Sequence, residues 1–297
     1  LQEIPQKLFA VKKQDYNLDL TFDSGQTFRW QKVNDGWEGV IYGKWVRLEH
    51  HKDGIKACVC GKVSDWSWLE DYLQINTSLN RILREFPRDP HMNGAVKTCR
   101  GLRIVRQEPW ECLATFLMSS NKQIPQIKQI INNLCERFGE QIPSPHGRPL
   151  YAFPTPQVIA TASEEELRLC KMGFRAEYLK KAAEKIVHEK IDLRELTRLS
   201  SDKAREILLS FRGVGPKIAN CVMLFSLGFM DAFPIDVWIE KALRTFYFDS
   251  KPVKQKDLEK FTRSYFGKFA GYAQQYLYHY IRILNNRASI CKNEENI

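Results

Sequence analysis

From Asn17 to Cys60, apolar and polar positions alternate with the period of two that suits strands. Leu18, Leu20 and Phe22 are separated by Asp19 and Thr21, and turn signals recur at Asp35-Gly36, Tyr42-Gly43 and Asp53-Gly54. The pattern predicts an antiparallel meander. Helical spacing follows: Ser64 to Leu73 and Ser78 to Phe86 predict helices able to cover one face of that sheet. The polar, Pro- and Gly-bearing stretch from Pro87 to Gly94 reads as a linker, which divides the chain into a sheet domain over 1–94 and a helical region over 95–297. In the second region Ile124, Ile127, Ile130, Ile131, Leu134 and Phe138 make an amphipathic helix ended by Gly139. Ser163 and Glu166 form a capping box ahead of Leu167 and Cys170, and the stripe repeats from Tyr178 to Val187. Pro143 to Pro156 is a surface loop by composition. The expected class is α+β, an N-terminal antiparallel β-sheet domain with covering helices followed by an all-helical region, without internal repeats.

The segment from Asp202 to Gly228 breaks this regularity in an informative way. Ile207, Leu208 and Phe211 lie at helical spacing, and Gly213-Val214-Gly215 then ends the helix with two residues that tolerate positive φ. Pro216 suits the first position of a new helix, because the N–H it lacks would be unpaired there. Two helices therefore meet at a glycine hairpin. Backbone N–H groups at Gly213, Gly215 and Ile218 carry the positive end of the helix dipole outward, a site for one phosphate. The second helix is expected to run from Pro216 to Leu227 and stop at Gly228, with Ile218, Val222 and Phe225 toward the core and Lys217 and Cys221 on the rim of that stripe. An amine on such a rim is partly desolvated, which favours its nucleophilic free base.

Asp236 is a favoured N-cap for the helix that follows it. A twelve-residue helix carries the chain about 18 Å from Lys217, and eight extended residues span about 26 Å. The carboxylate can therefore return to the amine. Taken singly, Lys217 reads as a phosphate contact and Asp236 as a cap. Together with the hairpin they read as a nucleophile held against a nucleic acid backbone.

Composition agrees with a folded, polyanion-binding protein. The 297 residues are 43% hydrophobic and 12% aromatic, enough for two or three cored domains, and the net charge is +10. The eight cysteines, among them Cys58, Cys60, Cys112, Cys170 and Cys221, mostly lie in apolar runs, as reduced core residues do. No apolar run has membrane-spanning length, and no secretory signal is read at the start, where the first residue is Leu1. A soluble monomer is expected.

Hairpin, adjoining lysine and Pro-Ile-Asp at a helix start resemble the lysine-bearing members of the helix-hairpin-helix DNA glycosylase superfamily. Asp23 to Trp30, Gln107 to Ile124 and Phe266 to Tyr280 resemble segments of its 8-oxoguanine DNA glycosylases, in the same order, over roughly residues 14–285. The resemblance implies double-stranded DNA containing 8-oxoguanine as partner, with Lys217 as nucleophile and Asp236 beside it as catalytic pair. It implies that the Gly25 carbonyl accepts the hydrogen that the lesion, unlike guanine, carries on N7. Cys221 and Tyr278 would lie against the faces of the extruded base and Gln274 would bond its Watson–Crick edge. Asn121 would fill the gap left in the duplex, and Phe174 and Arg175 would wedge beside and bond the opposite base. Three positions depart from the family pattern: phenylalanine stands at 174 where tyrosine is usual, Gln126 where a second arginine clasps cytosine, and Trp238 where histidine is common.

The resemblance also implies that no cofactor is required. The four-cysteine iron-sulfur cluster of some relatives is missing, since only Cys291 follows Cys221. Carbonyls near Leu209, Phe211 and Val214 resemble those that hold a structural cation. Localisation would be cytoplasmic, at the nucleoid, in a bacterium and nuclear in a eukaryote. Two rival readings are a non-enzymatic DNA-binding module built on the same hairpin and a glycosylase for alkylated bases, which typically lacks the lysine.

Overall fold

In the computed structural model, which describes residues 4–294 and side chains as far as residue 285, a five-stranded antiparallel sheet precedes a set of packed helices. The strands are β1 (Gln6–Phe9), β2 (Trp30–Val33), β3 (Gly36–Ile41), β4 (Lys44–His51) and β5 (Gly54–Val59), ordered β1-β5-β4-β3-β2. The three expected turns fall at the β2–β3, β3–β4 and β4–β5 connections. At the second, Tyr42 (φ 50°) and Gly43 (φ 70°) are both left-handed, the two-residue turn that matches strand twist.

Two expectations about the N-terminal region are corrected. Leu18–Phe22 is a helix, not a strand: the Asn17 side chain accepts from the Leu20 N–H as its cap, and Leu18, Thr21 and Phe22 are buried at helical spacing. The first strand is instead β1, which contributes one buried residue, Phe9, opposite Ile55. The supposed linker holds the helix Pro90–Cys99, capped by Asp89 through the His91 and Met92 N–H groups, and it runs across residue 94. Its Met92, Ala95 and Cys99 belong to the core of the helical region, which also takes in Phe28, Leu79 and Ile82. A separate core joins Trp30, Trp37, Leu48 and Ile55 of the sheet to Leu69, Tyr72 and Leu73 of the helix Ser67–Leu73.

The later region is helical except for a small strand pair, Gln141–Ile142 just before the expected loop with Leu150–Tyr151 inside it. Ile124–Phe138 ends at Gly139 and Ser163 and Glu166 close a capping box, both as expected. The second hairpin helix runs from Pro216 to Leu227 and stops at Gly228 as expected, but as α-helix only over Pro216–Val222 and then as a wider π-helical turn, Met223–Leu227. That turn lays Phe225 flat on Phe116, ring centroids 5.6 Å apart. The two regions are joined by polar bonds. Fully buried Arg103 donates to the carbonyls of Asp15, Gln74 and Thr77, and Gln26 donates to the Arg103 carbonyl at 2.7 Å and accepts from the Val105 N–H at 2.9 Å.

Candidate active site

Five segments converge on one cavity of about 750 Å³. It is lined by Ser24 and Gly25, by the turn Ser119–Ile124, by Lys217, Cys221 and Phe225 of the hairpin helix and its π turn, by Pro234–Trp238, and by Gln274, Gln275, Tyr278 and Arg282 of the last helix. Gly25, Asn121, Lys217, Cys221, Asp236, Gln274 and Tyr278, read as site residues from five separate stretches of sequence, therefore meet at one place.

Each is fixed by its own local chemistry. Gly25 has φ 74°, a conformation glycine adopts freely, and a Cβ there would lie 3.2 Å from the Tyr278 hydroxyl. Its neighbours hold it: the Ser24 hydroxyl donates to Thr21 O at 2.8 Å, and the Gln107 amide donates to Gln26 O at 2.7 Å. Lys217 occupies the first turn after the hairpin, half-buried, with Nζ 5.3 Å above the Phe116 ring. Asp236 caps the helix Val237–Tyr247, accepting from Trp238 N at 3.1 Å and Ile239 N at 2.9 Å. Both bonds fall on Oδ1, so the second oxygen is left for the cavity. Burial raises the Asp236 carboxyl above the usual range, against the pull of the Ile239 N–H and the Lys217 charge. The Lys217 amine thus acts on the carboxylate across the cavity.

The walls between these charges are neutral. Burial pushes the Cys221 thiol up to about 11 and the Tyr278 phenol up to about 12, so both stay protonated at neutral pH. Asn121 (φ 53°) is exposed at the turn after the helix Pro109–Ser119. Asparagine tolerates this left-handed conformation better than most residues.

The residues expected to contact DNA outside the cavity are placed differently. Phe174 is 51% exposed, its ring edge against Tyr178 at 5.8 Å. Arg175 is only 5% exposed and bonds the Ser120 carbonyl. In the hairpin only Gly213 uses positive φ, at 86°, whereas Gly215 is extended at −96°. The hairpin turn closes with Val214 N donating to Phe211 O at 3.0 Å. Among the described residues no group of three His, Cys, Asp or Glu side chains is placed to hold a metal ion.

Phe28, Phe116, Ser119, Lys122, Gln275 and Arg282 also line the cavity and were not read from sequence as site residues. Gly271, Gln274, Gln275, Tyr278 and Arg282 fall at helical spacing on one stripe, a signal that could have found the last two of these.

Comparison with known proteins shows the family. Residues 8–113 match the family described as 8-oxoguanine DNA glycosylase, N-terminal domain, and residues 114–267 match the HhH-GPD superfamily of base excision DNA repair proteins. An N-glycosylase/DNA lyase OGG1 from Arabidopsis thaliana is 30% identical over 89% of this chain and 77% of its own length. The chain belongs to the 8-oxoguanine DNA glycosylase family. An N-glycosylase/DNA lyase from Saccharomyces cerevisiae is 29% identical over 91% of this chain and 84% of its own. Among solved structures of the family, the Clostridium acetobutylicum 8-oxoguanine glycosylase/lyase, bound to double-stranded DNA with cytosine opposite 8-oxoguanine, superimposes with TM-score 0.87. It shares 33% identity and covers 95% of this chain and 98% of its own. A 3-methyladenine DNA glycosylase from Archaeoglobus fulgidus, at 21% identity and TM-score 0.76 over 94% of this chain and 98% of its own, shares the fold.

Proposed function

We propose that the protein extrudes 8-oxoguanine from double-stranded DNA, cleaves its glycosidic bond and nicks the strand. The observation that carries this is the convergence of Lys217 and Asp236 with Gly25, Cys221, Gln274 and Tyr278 on a single cavity large enough for a purine nucleoside. The Lys217 amine attacks C1′ as the C1′–N9 bond breaks, and the departing purine takes up a proton. The Asp236 carboxylate stabilises the positive charge that develops on the sugar. Loss of one Nζ proton and opening of the sugar ring, whose O4′ takes up a proton, give an iminium that keeps one N–H. A proton then leaves C2′, and the electrons of that C–H bond form a C2′–C3′ double bond and expel the 3′ phosphate, which cuts the strand.

No net oxidation occurs, so these steps call for no redox cofactor. The carbonyls of Leu209, Phe211 and Val214 are neutral oxygen donors of the type hard cations take, and a cation there would brace the hairpin without entering the chemistry. Phosphate would be gripped by the N–H groups at Gly213, Gly215 and Ile218. Exposed Phe174 is the side chain available to wedge beside the orphaned base, with Asn121 on the cavity side. Lys217 favours this reading over a glycosylase for alkylated bases.

The test is borohydride trapping on an end-labelled 8-oxoguanine duplex. Wild-type protein is expected to give a covalent protein–DNA adduct and Lys217→Gln none. An adduct that survives the substitution would reassign the amine, and binding without any product would leave a DNA-binding module.

A further inference from the structure

The cavity holds a second buried amide to which the mechanism above gives no part. Gln275 is 3% exposed, lines the cavity, and has a buried Oε1 without a hydrogen-bond partner. Gln274, 4% exposed, carries the same orphaned oxygen. Leaving one such acceptor unpaired is costly, and native interiors seldom do so. Two on one cavity wall call for donors from outside the chain.

The backbone under both amides is held. One turn before Gln275, a Cβ on Gly271 would collide with Leu224 and lie 2.7 Å from the Ala232 carbonyl, and the Gly271 N–H donates to Met230 O at 2.8 Å. The last helix is thus pressed against the segment that leads to Pro234 and Asp236, and Gln275 projects from the face nearest that segment. Gln274 and Gln275 are successive residues, so their side chains leave the helix about 100° apart and reach different parts of the cavity.

An extruded guanine-type base presents two adjacent donors on its Watson–Crick edge, N1–H and the 2-amino group, beside the O6 acceptor. One amide can meet a single donor together with O6. The other donor then needs a second acceptor. We propose that Gln275 is a specificity-determining residue whose Oε1 accepts from the 2-amino group of the extruded purine, while Gln274 takes N1–H and O6. This rests on the excision of 8-oxoguanine proposed above and adds a test of the base edge to the test of N7 made at Gly25. A purine without the 2-amino group leaves Gln275 unpaired in the closed cavity, which is how a site built for a hydrogen bond rejects the analogue that lacks it.

The experiment compares single-turnover excision of 8-oxoguanine and 8-oxohypoxanthine, which differ only in that amino group and share N7–H. Wild-type protein is expected to favour 8-oxoguanine by about tenfold, the worth of one such bond. Gln275→Met should bring the ratio toward one, and Gln275→Glu, which keeps an acceptor, should preserve it. Equal excision of the two bases by wild type overturns the assignment without any variant. So does a Gln275→Met protein that loses activity on both by the same factor, which would make Gln275 a packing residue. If wild type excises neither, the parent reading fails and the assignment with it.

Discussion

The Arg175 guanidinium donates from Nε to the Ser120 carbonyl at 2.8 Å, with Nη2 on the same oxygen, and so braces the turn that holds Asn121 at φ 53°. A third bond, from Nη1 to Met172 O, is long at 3.4 Å. The arginine expected to bond the orphaned base is committed to the backbone behind the residue expected to fill the gap. Gln126 is also occupied: its Oε1 accepts from the Gln123 N–H at 3.1 Å in a helix cap.

Opposite-base selectivity should therefore be weak. Each good side-chain contact to a base edge discriminates by about 1–3 kcal/mol; Arg175 commits its donors to Ser120 and Met172, and Gln126 offers only the neutral NH2 of an amide whose oxygen is bound to Gln123. Rates of 8-oxoguanine excision opposite C, T, G and A are expected to agree within about tenfold, the low end of that range. A steep preference for C in a single-turnover comparison would mean that Arg175 releases Ser120 when DNA binds.

Asp236 combines two duties that one substitution separates. Asparagine caps helices about as well as aspartate, so Asp236→Asn should keep the bonds from Trp238 and Ile239 and leave the thermal midpoint close to wild type. The charge facing the sugar is lost. Turnover should fall by about 10²–10³-fold, with the Kd for lesion duplex little changed. Equal losses in turnover and binding would reduce Asp236 to a cap.

What the sequence disclosed followed from how local each signal was. The hairpin was readable because Gly213, Pro216 and Asp236 each fix a backbone feature within a residue or two of themselves. The cavity was readable only through motif resemblance, since Gly25, Asn121, Lys217 and Tyr278 are brought together by long-range packing that no periodicity encodes. Leu18, Leu20 and Phe22 misled because alternation over five residues fits a strand or one helical turn and a half, and the Asn17 cap decided it. β1 left no signal: only Phe9 is buried, and its pairing with β5 spans more than forty residues. Gln126 and Arg175 were placed by analogy, and their commitments to Gln123 and Ser120 depend on atoms in the folded chain.

Glu111 supplies a pH dependence of stability. Burial lifts its carboxyl to about 7, against the opposing charge of Arg29, whose Nη1 lies 3.9 Å away. Unfolded glutamate titrates near about 4.3, so the folded state binds this proton more tightly. Its contribution is complete below about pH 4.3 and is lost as pH rises through about 7. Between pH 5 and 8 the wild-type thermal midpoint should decline more than that of Glu111→Gln, by an amount equivalent to roughly 2 kcal/mol. Parallel profiles for the two proteins would count against the buried-acid assignment.

The two hairpin glycines should differ in how a methyl group affects stability. At Gly213, φ is 86° and a Cβ would lie 2.7 Å from the Tyr178 ring, so Gly213→Ala strains the backbone and displaces the ring. Thermal stability should fall by about 1–3 kcal/mol, and DNA affinity should fall with it. At Gly215, φ is −96° and nothing lies within 4 Å of an added Cβ. Gly215→Ala should therefore fold with stability within about 0.5 kcal/mol of wild type. That open space is where a phosphate must approach the backbone N–H groups, and a methyl there should raise the Kd for duplex DNA roughly tenfold, the worth of about one hydrogen bond. Unchanged affinity in Gly215→Ala, with folding intact, would mean that the strand does not pass over the hairpin at Gly215.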